Sequence, residues 1–156
     1  MVPSDDNDSR PAEVAEEVLE KLLAMMEVSA SVDQVDSDPV TINVSGDDLG
    51  ILIGRRGQTL ACLQYIVRLM VSHQTQEWEP VVIDVEGYKQ RRYETLQALA
   101  YRVADQVKAR GMPFTMEPML PYERRIIHLA LADSADVITR STGEGEERKV
   151  VVAPRR

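Results

Sequence analysis

The segment Leu49-Gly-Ile-Leu-Ile-Gly-Arg-Arg-Gly-Gln-Thr-Leu60 constrains this chain more than any other. Gly54 and Gly57 stand three apart between two apolar stretches, and the second stretch starts at once after Gly57. Without a Cβ, both glycines permit positive φ and let another backbone come close. The N–H groups that open the following helix have no intrahelical partner and favour an anion, Gln58 standing first among them. Arg55 and Arg56 add two permanent positive charges at the tip. Together these parts describe a clamp for a sugar-phosphate backbone. A Gly-x-x-Gly by itself is also an ordinary turn between helices, so its meaning rests on what surrounds it.

The surroundings alternate in type. Pro11 suits a first helical turn, and Val14, Val18, Leu22 and Met25 repeat at helical spacing, joined by Leu19, Leu23 and Met26. Glu13, Glu16, Glu17 and Glu20 cover the other faces, which predicts an amphipathic helix ending near Val28. Ser29–Asp36 and the strictly alternating Val40–Ser45 predict a hairpin across the turn Asp36-Ser-Asp-Pro39. Asp47 and Asp48 are placed to cap a short helix over Leu49–Ile53. A longer helix from Gln58 to about His73 carries Leu60, Leu63, Ile66, Val67 and Met70 on one side, with Cys62 expected as a buried thiol. Val81–Val85 reads as a buried strand. A helix from Tyr88 to Arg110 then buries Leu96, Leu99, Ala100, Val103 and Val107 and stops at Gly111 and Pro113. Phe114–Met119 is expected to be extended and Pro121–Ala132 helical. Asp136–Ser141 and Arg148–Ala153 make a final hairpin around residues 142–146. The order predicts an α+β chain of two units, α-β-β-α-α-β and then α-β-α-β-β. It predicts a disordered acidic tail over residues 1–10, a first domain over 11–87 and a second over 88–154.

Charge at first argues against a polyanion partner, because the 156 residues carry a formal net charge of -8. The total conceals an asymmetry: residues 1–48 hold two basic and thirteen acidic residues, leaving sixteen basic against thirteen acidic residues beyond them. Residues 49–70 contain three arginines and no acid. A local basic face on an acidic protein is physically reasonable, since the potential follows local distribution. No apolar run reaches the ~20 residues that cross a bilayer, and no secretory signal opens the chain. The single cysteine suits a reducing compartment.

A second constellation lies in Pro121-Tyr-Glu-Arg-Arg-Ile-Ile-His128. Arg124 and His128 are four apart on one helix face, Arg125 sits beside them, and Ile126 and Ile127 can turn toward a core. Arginine offers a planar donor fork to phosphate, and histidine can donate to or stack on a base. Arg148 and Lys149 on the final strand are expected to extend this patch.

Ile-Gly-x-x-Gly followed by a helix resembles the signature of the KH domain, and the helix-first order resembles its type II arrangement. The resemblance implies that about four nucleotides of single strand are clamped against the loop, with base edges meeting an apolar groove formed by Ile53, Leu60 and strand 40–45. The Arg-xxx-His segment, after a long helix and before two strands, resembles the R-three-H domain. The two in tandem resemble the bacterial Jag (KhpB, SpoIIIJ-associated) family. That resemblance rests on Ile53 to Leu60, Gln74-Thr-Gln-Glu-Trp78, Asp84-Val-Glu-Gly-Tyr88 and Pro121 to His128, and spans about residues 12–154. It implies a cytoplasmic RNA-binding regulator or RNA chaperone linked to cell elongation, cell-wall growth or sporulation, with a smaller KH-only protein as a partner. Many family members carry a further N-terminal domain; here a short acidic stretch precedes the first helix.

Enzymatic readings find little purchase. The two histidines are His73, at a helix end, and His128; Cys62 has no Cys-x-x-Cys companion for zinc; and Gly54–Gly57 lacks the Lys of a nucleotide-binding loop. No catalytic residue, metal or cofactor is expected. The rival reading is a protein-interaction scaffold, whose acidic helix 12–27 docks a partner or whose first domain dimerises near its loop. It is compatible with binding, because a homodimer presents two clamps. Five Tyr, one Phe and one Trp are too few for binding by extensive base stacking. Single-stranded RNA is the expected ligand, with single-stranded DNA as its alternative.

Overall fold

The structure, a computed structural model, describes residues 10–156; the tail expected over residues 1–10 lies outside it except for Arg10, which opens the first helix. The chain divides into two units between Lys89 and Gln90.

In the first unit, α1 (Arg10–Met25) is amphipathic, but its buried side is Pro11, Ala12, Ala15, Val18, Leu19 and Leu23. The expected stripe is thus rotated, and Met25 is 72% exposed. The small Ala12 and Ala15 allow close approach to the sheet, and long apolar side chains at the helix end are left to solvent. β1 (Ser31–Ser37) pairs antiparallel with β2 (Val40–Ser45), which lies parallel to β3 (Val81–Val85). The order β1-β2-β3 makes β2 the central strand. Its Val40, Ile42 and Val44 are buried, as are Val81, Ile83 and Val85 of β3, so both strands present one face to the helices. β1 is nearly all exposed, which fits its polar sequence SVDQVDS.

α2 (Gly50–Ile53) and α3 (Gln58–Thr75) flank the glycine loop. The expected carboxylate cap fails: Leu49 occupies the N-cap of α2 without a side-chain bond, and Asp48 takes a φ of 55°. α3 buries Leu60, Leu63, Val67 and Val71. Ile66 and Met70 fall on the neighbouring face and are 44% and 37% exposed, and Cys62 is exposed rather than buried. At 3.6 residues per turn the positions 60, 63, 67 and 71 make a narrow stripe, and Cys62, Ile66 and Met70 lie beside it.

The second unit begins within α4 (Tyr88–Arg110), whose Leu96, Ala100, Val103 and Val107 are buried while Leu99 packs at the edge of the core. Of the extended stretch after it, only Phe114–Thr115 forms a strand, β4. α5 (Pro121–Ala130) is followed by β5 (Val137–Thr142) and β6 (Lys149–Pro154). The sheet order is β4-β6-β5, all antiparallel. Val137, Val150 and Val152 meet Ile127 of α5 in the core, with Ile126 packed at its margin.

Candidate nucleic-acid interface

The glycine loop has the backbone that its sequence demands. Gly54 takes φ 70° and ψ -170°, Arg56 φ 54°, and Gly57 φ 77° at the N-cap of α3. Three positive-φ positions in four residues turn the chain sharply between α2 and α3. A Cβ on Gly54 would run into Thr59, and one on Gly57 would lie 2.8 Å from Cε1 of Tyr88. Gly57 is therefore required both by conformation and by the ring packed against it. Tyr88, three residues past the end of β3, packs against the loop at Gly57.

Arg55 and Gln58 are exposed, Ile53, Gly54 and Arg56 are half-buried, and Gly57 is buried against Tyr88. The loop tip thus faces solvent with an arginine upon it. Leu60 does not line a groove: it is 2% exposed and belongs to the core beneath the loop. Strand 40–45 has both of its edges paired, so its backbone offers no free edge to a ligand. β3, at one side of the sheet, keeps an edge that no strand pairs.

That edge carries polar chemistry that periodicity alone did not reveal. In β3, residues 81, 83 and 85 direct their backbone groups away from β2. Ile83 N–H donates to Oε1 of Gln64 (3.0 Å), and Arg68 Nε donates to the carbonyl of Val81 (2.6 Å). Val85 N–H donates to Oδ1 of Asp84 (2.9 Å), which also accepts from Lys89 N–H (3.2 Å). Lys89 Nζ reaches the same Gln64 oxygen at 2.7 Å. Burial holds the Lys89 amine below the usual lysine range; Asp84 opposes this and Arg68 adds to it. Gln64 and Arg68 are four apart on α3, a spacing legible in the sequence only once β3 is known to lie beside that face.

In the second unit, Arg125 is exposed and Arg124 half-buried on α5, where Arg124 Nη1 donates to the carbonyl of Met119 (2.7 Å). His128 is fastened at both ring nitrogens, Nδ1 to Oγ1 of Thr139 (2.7 Å) and Nε2 to Oγ of Ser141 (2.9 Å). Burial lowers its pKa from the ordinary histidine value, and the Arg124 guanidinium lowers it further. The expected patch is only partly assembled. Arg148 donates from Nη1 to the carbonyl of Gly143 (2.7 Å) across the hairpin loop. Lys149 alternates with Val150, so it stands on the sheet face opposite the one that meets α5. Exposed Arg140 shares the face of Lys149, and neither joins His128.

Glu123 escaped the sequence reading. It is fully buried, and its Oε1 accepts from Arg92 Nε of α4 at 2.7 Å. Its Oε2 accepts from Leu120 N–H (3.2 Å), which fastens the start of α5. A Glu three residues after the helix N-cap is the sequence signal for such a role.

Two family comparisons match the chain: the KhpA/KhpB KH domain over residues 12–83 and the R-three-H domain over residues 94–154. The chain is 42% identical to the RNA-binding protein KhpB of Clostridium symbiosum over 144 residues, which are 92% of this chain and 64% of that protein. It is 37% identical to the RNA-binding protein KhpB of Bacillus subtilis over 125 residues, 79% of this chain and 60% of that one. With the protein of the same name from Lactiplantibacillus plantarum it shares 38% identity over 74% of its own length and 36% of the relative's. The chain spans less than two thirds of the length of each of these three relatives.

Proposed function

The chain belongs to the KhpB family, in which a KH domain of the KhpA/KhpB type is joined to an R-three-H domain, and from this premise we propose that it binds single-stranded RNA and catalyses no reaction. The observation that carries the reading is the Gly54–Gly57 turn, which exposes Arg55 and Gln58 together at the start of α3. A phosphodiester seated there meets a guanidinium and the positive end of the α3 dipole together. α5 of the second unit supplies a cationic surface of its own through Arg125 and Arg124. Among the described residues no helix is long and apolar enough to cross a membrane, and we place the protein in the cytoplasm. There it acts as an RNA regulator or chaperone in cell elongation, cell-wall growth or sporulation.

A second reading, compatible with the first, has support of its own. Tyr65, Ile66, Leu69 and Met70 are 60%, 44%, 45% and 37% exposed on one side of α3. A contiguous apolar ridge of this kind marks an interaction surface. A second copy, or a smaller KH-only protein, is the partner proposed for it.

Fluorescence anisotropy with one labelled RNA, alone and annealed to its complement, tests the principal reading. A groove that reads base edges needs unpaired bases, so the single strand binds more tightly. Replacing Arg55 and Arg56 with Asp turns attraction into repulsion at the clamp and lowers that affinity at least tenfold. Equal affinity for strand and duplex, or an unaltered affinity in the folded double variant, overturns the reading.

A further inference from the structure

The most informative polar cluster outside the loop closes the free edge of β3. Gln64 Oε1 accepts from both Ile83 N–H and Lys89 Nζ. An amide oxygen with two lone pairs is thereby saturated. What these two side chains leave for a ligand is donors: the two N–H groups of the Gln64 amide and two of the three on Lys89 have no hydrogen-bond partner among the described residues, while the Asp84 carboxylate lies near enough to Lys89 to favour its charged form. Arg68, fastened to the Val81 carbonyl, adds further donors. Both Gln64 and Lys89 are half-buried, within reach of a ligand yet partly withdrawn from water.

Position ties this cluster to the loop. Tyr88 packs on Gly57, and Lys89 is the next residue. Gln64 lies seven residues along α3 from Gly57, about 10 Å at 1.5 Å per residue. That is the scale of one nucleotide from backbone to base edge. Resting on the RNA-binding reading above, we infer that Gln64 and Lys89 form a base-reading pair for the nucleotide whose phosphate sits on the glycine loop. The pair selects bases with two adjacent acceptors, cytosine through O2 and N3 or guanine through O6 and N7, and rejects adenine. Adenine sets its donor N6 beside N1 and beside N7, so on either edge one of the pair's donors would meet another donor, and its N3 edge offers a single acceptor. Protection of an open strand edge is served by Gln64 and Arg68 alone. It does not require Lys89 to be drawn onto the same oxygen.

The test compares full-length protein binding to A8, C8 and an A-rich octamer containing two guanines, by anisotropy at fixed salt. A bidentate contact discriminates by about tenfold or more, so the cytosine and guanine strands bind roughly tenfold more tightly than A8. Lys89→Met keeps the aliphatic stem and should bring the C8-to-A8 ratio close to one. Gln64→Glu keeps an oxygen for Ile83 N–H and Lys89 but loses the amide donors, and should lower the ratio as well. It decides the matter if circular dichroism finds Lys89→Met unfolded. Equal binding of all three strands by the wild type, or a ratio unchanged in folded variants, overturns the base-reading pair and leaves RNA binding intact. No binding of any strand overturns the underlying reading itself.

Discussion

His128 shows how one residue's role changes when its neighbours are known. Arg124 and His128 at a spacing of four read as two ligands of a phosphate chain. The fold instead commits both imidazole nitrogens to Thr139 and Ser141, so the ring joins α5 to β5 and has no free nitrogen to offer a ligand. Its pKa is lowered by burial and by Arg124, so the folded protein favours the neutral ring. The unfolded chain then binds more protons between the folded pKa and about 6.5, and stability in that window rises with pH. An NMR titration of the His128 ring should have its midpoint below about 6.5, the unperturbed value. A midpoint at or above that value would overturn the burial-lowered pKa and the stability trend drawn from it.

Among the elements, α5 depends most on one interaction. Its first turn is held by Glu123, buried between Arg92 and the Leu120 N–H. Removing one partner of a buried pair leaves an uncompensated charge, which costs about 3–5 kcal/mol. Arg92→Ala should destabilise the protein by that order in urea denaturation. The double variant Arg92→Met with Glu123→Met should recover most of the loss, because apolar replacement of both partners is nearly neutral. A double variant no more stable than Arg92→Ala would mean that Glu123 acts chiefly through the Leu120 cap.

The whole molecule is acidic while its proposed contacts are basic, and salt dependence separates the two. For single strands, log K falls with log salt at a slope of about -0.7 per neutralised phosphate, so roughly four contacts give a slope near -3. Arg55, Arg56, Arg124 and Arg125 supply those charges; a neutral His128 supplies none. Arg124→Ala should flatten the slope by about 0.7 and leave the loop's contribution in place. If affinity survives the Asp replacement of Arg55 and Arg56 but not Arg124→Ala, the principal binding surface lies in the second unit.

The sequence by itself determined the elements and the loop. Alternation in Val40–Ser45, the stop at Gly111 and Pro113, and the glycines around Arg55 and Arg56 are local signals, written within a few residues of one another. Their physics is local as well: the strand pleat, the helix end and positive φ each depend on near neighbours. Tertiary structure decided which faces those elements show. It buried Leu60 and exposed Cys62, closed both edges of β2 and left the edge of β3, and set Lys149 on the sheet face away from His128. It also brought Gln64 to Lys89 across 25 residues of chain and Arg92 to Glu123 across 31. Such pairings arise from packing between elements. A one-dimensional pattern records the period of each element but not the neighbour it meets.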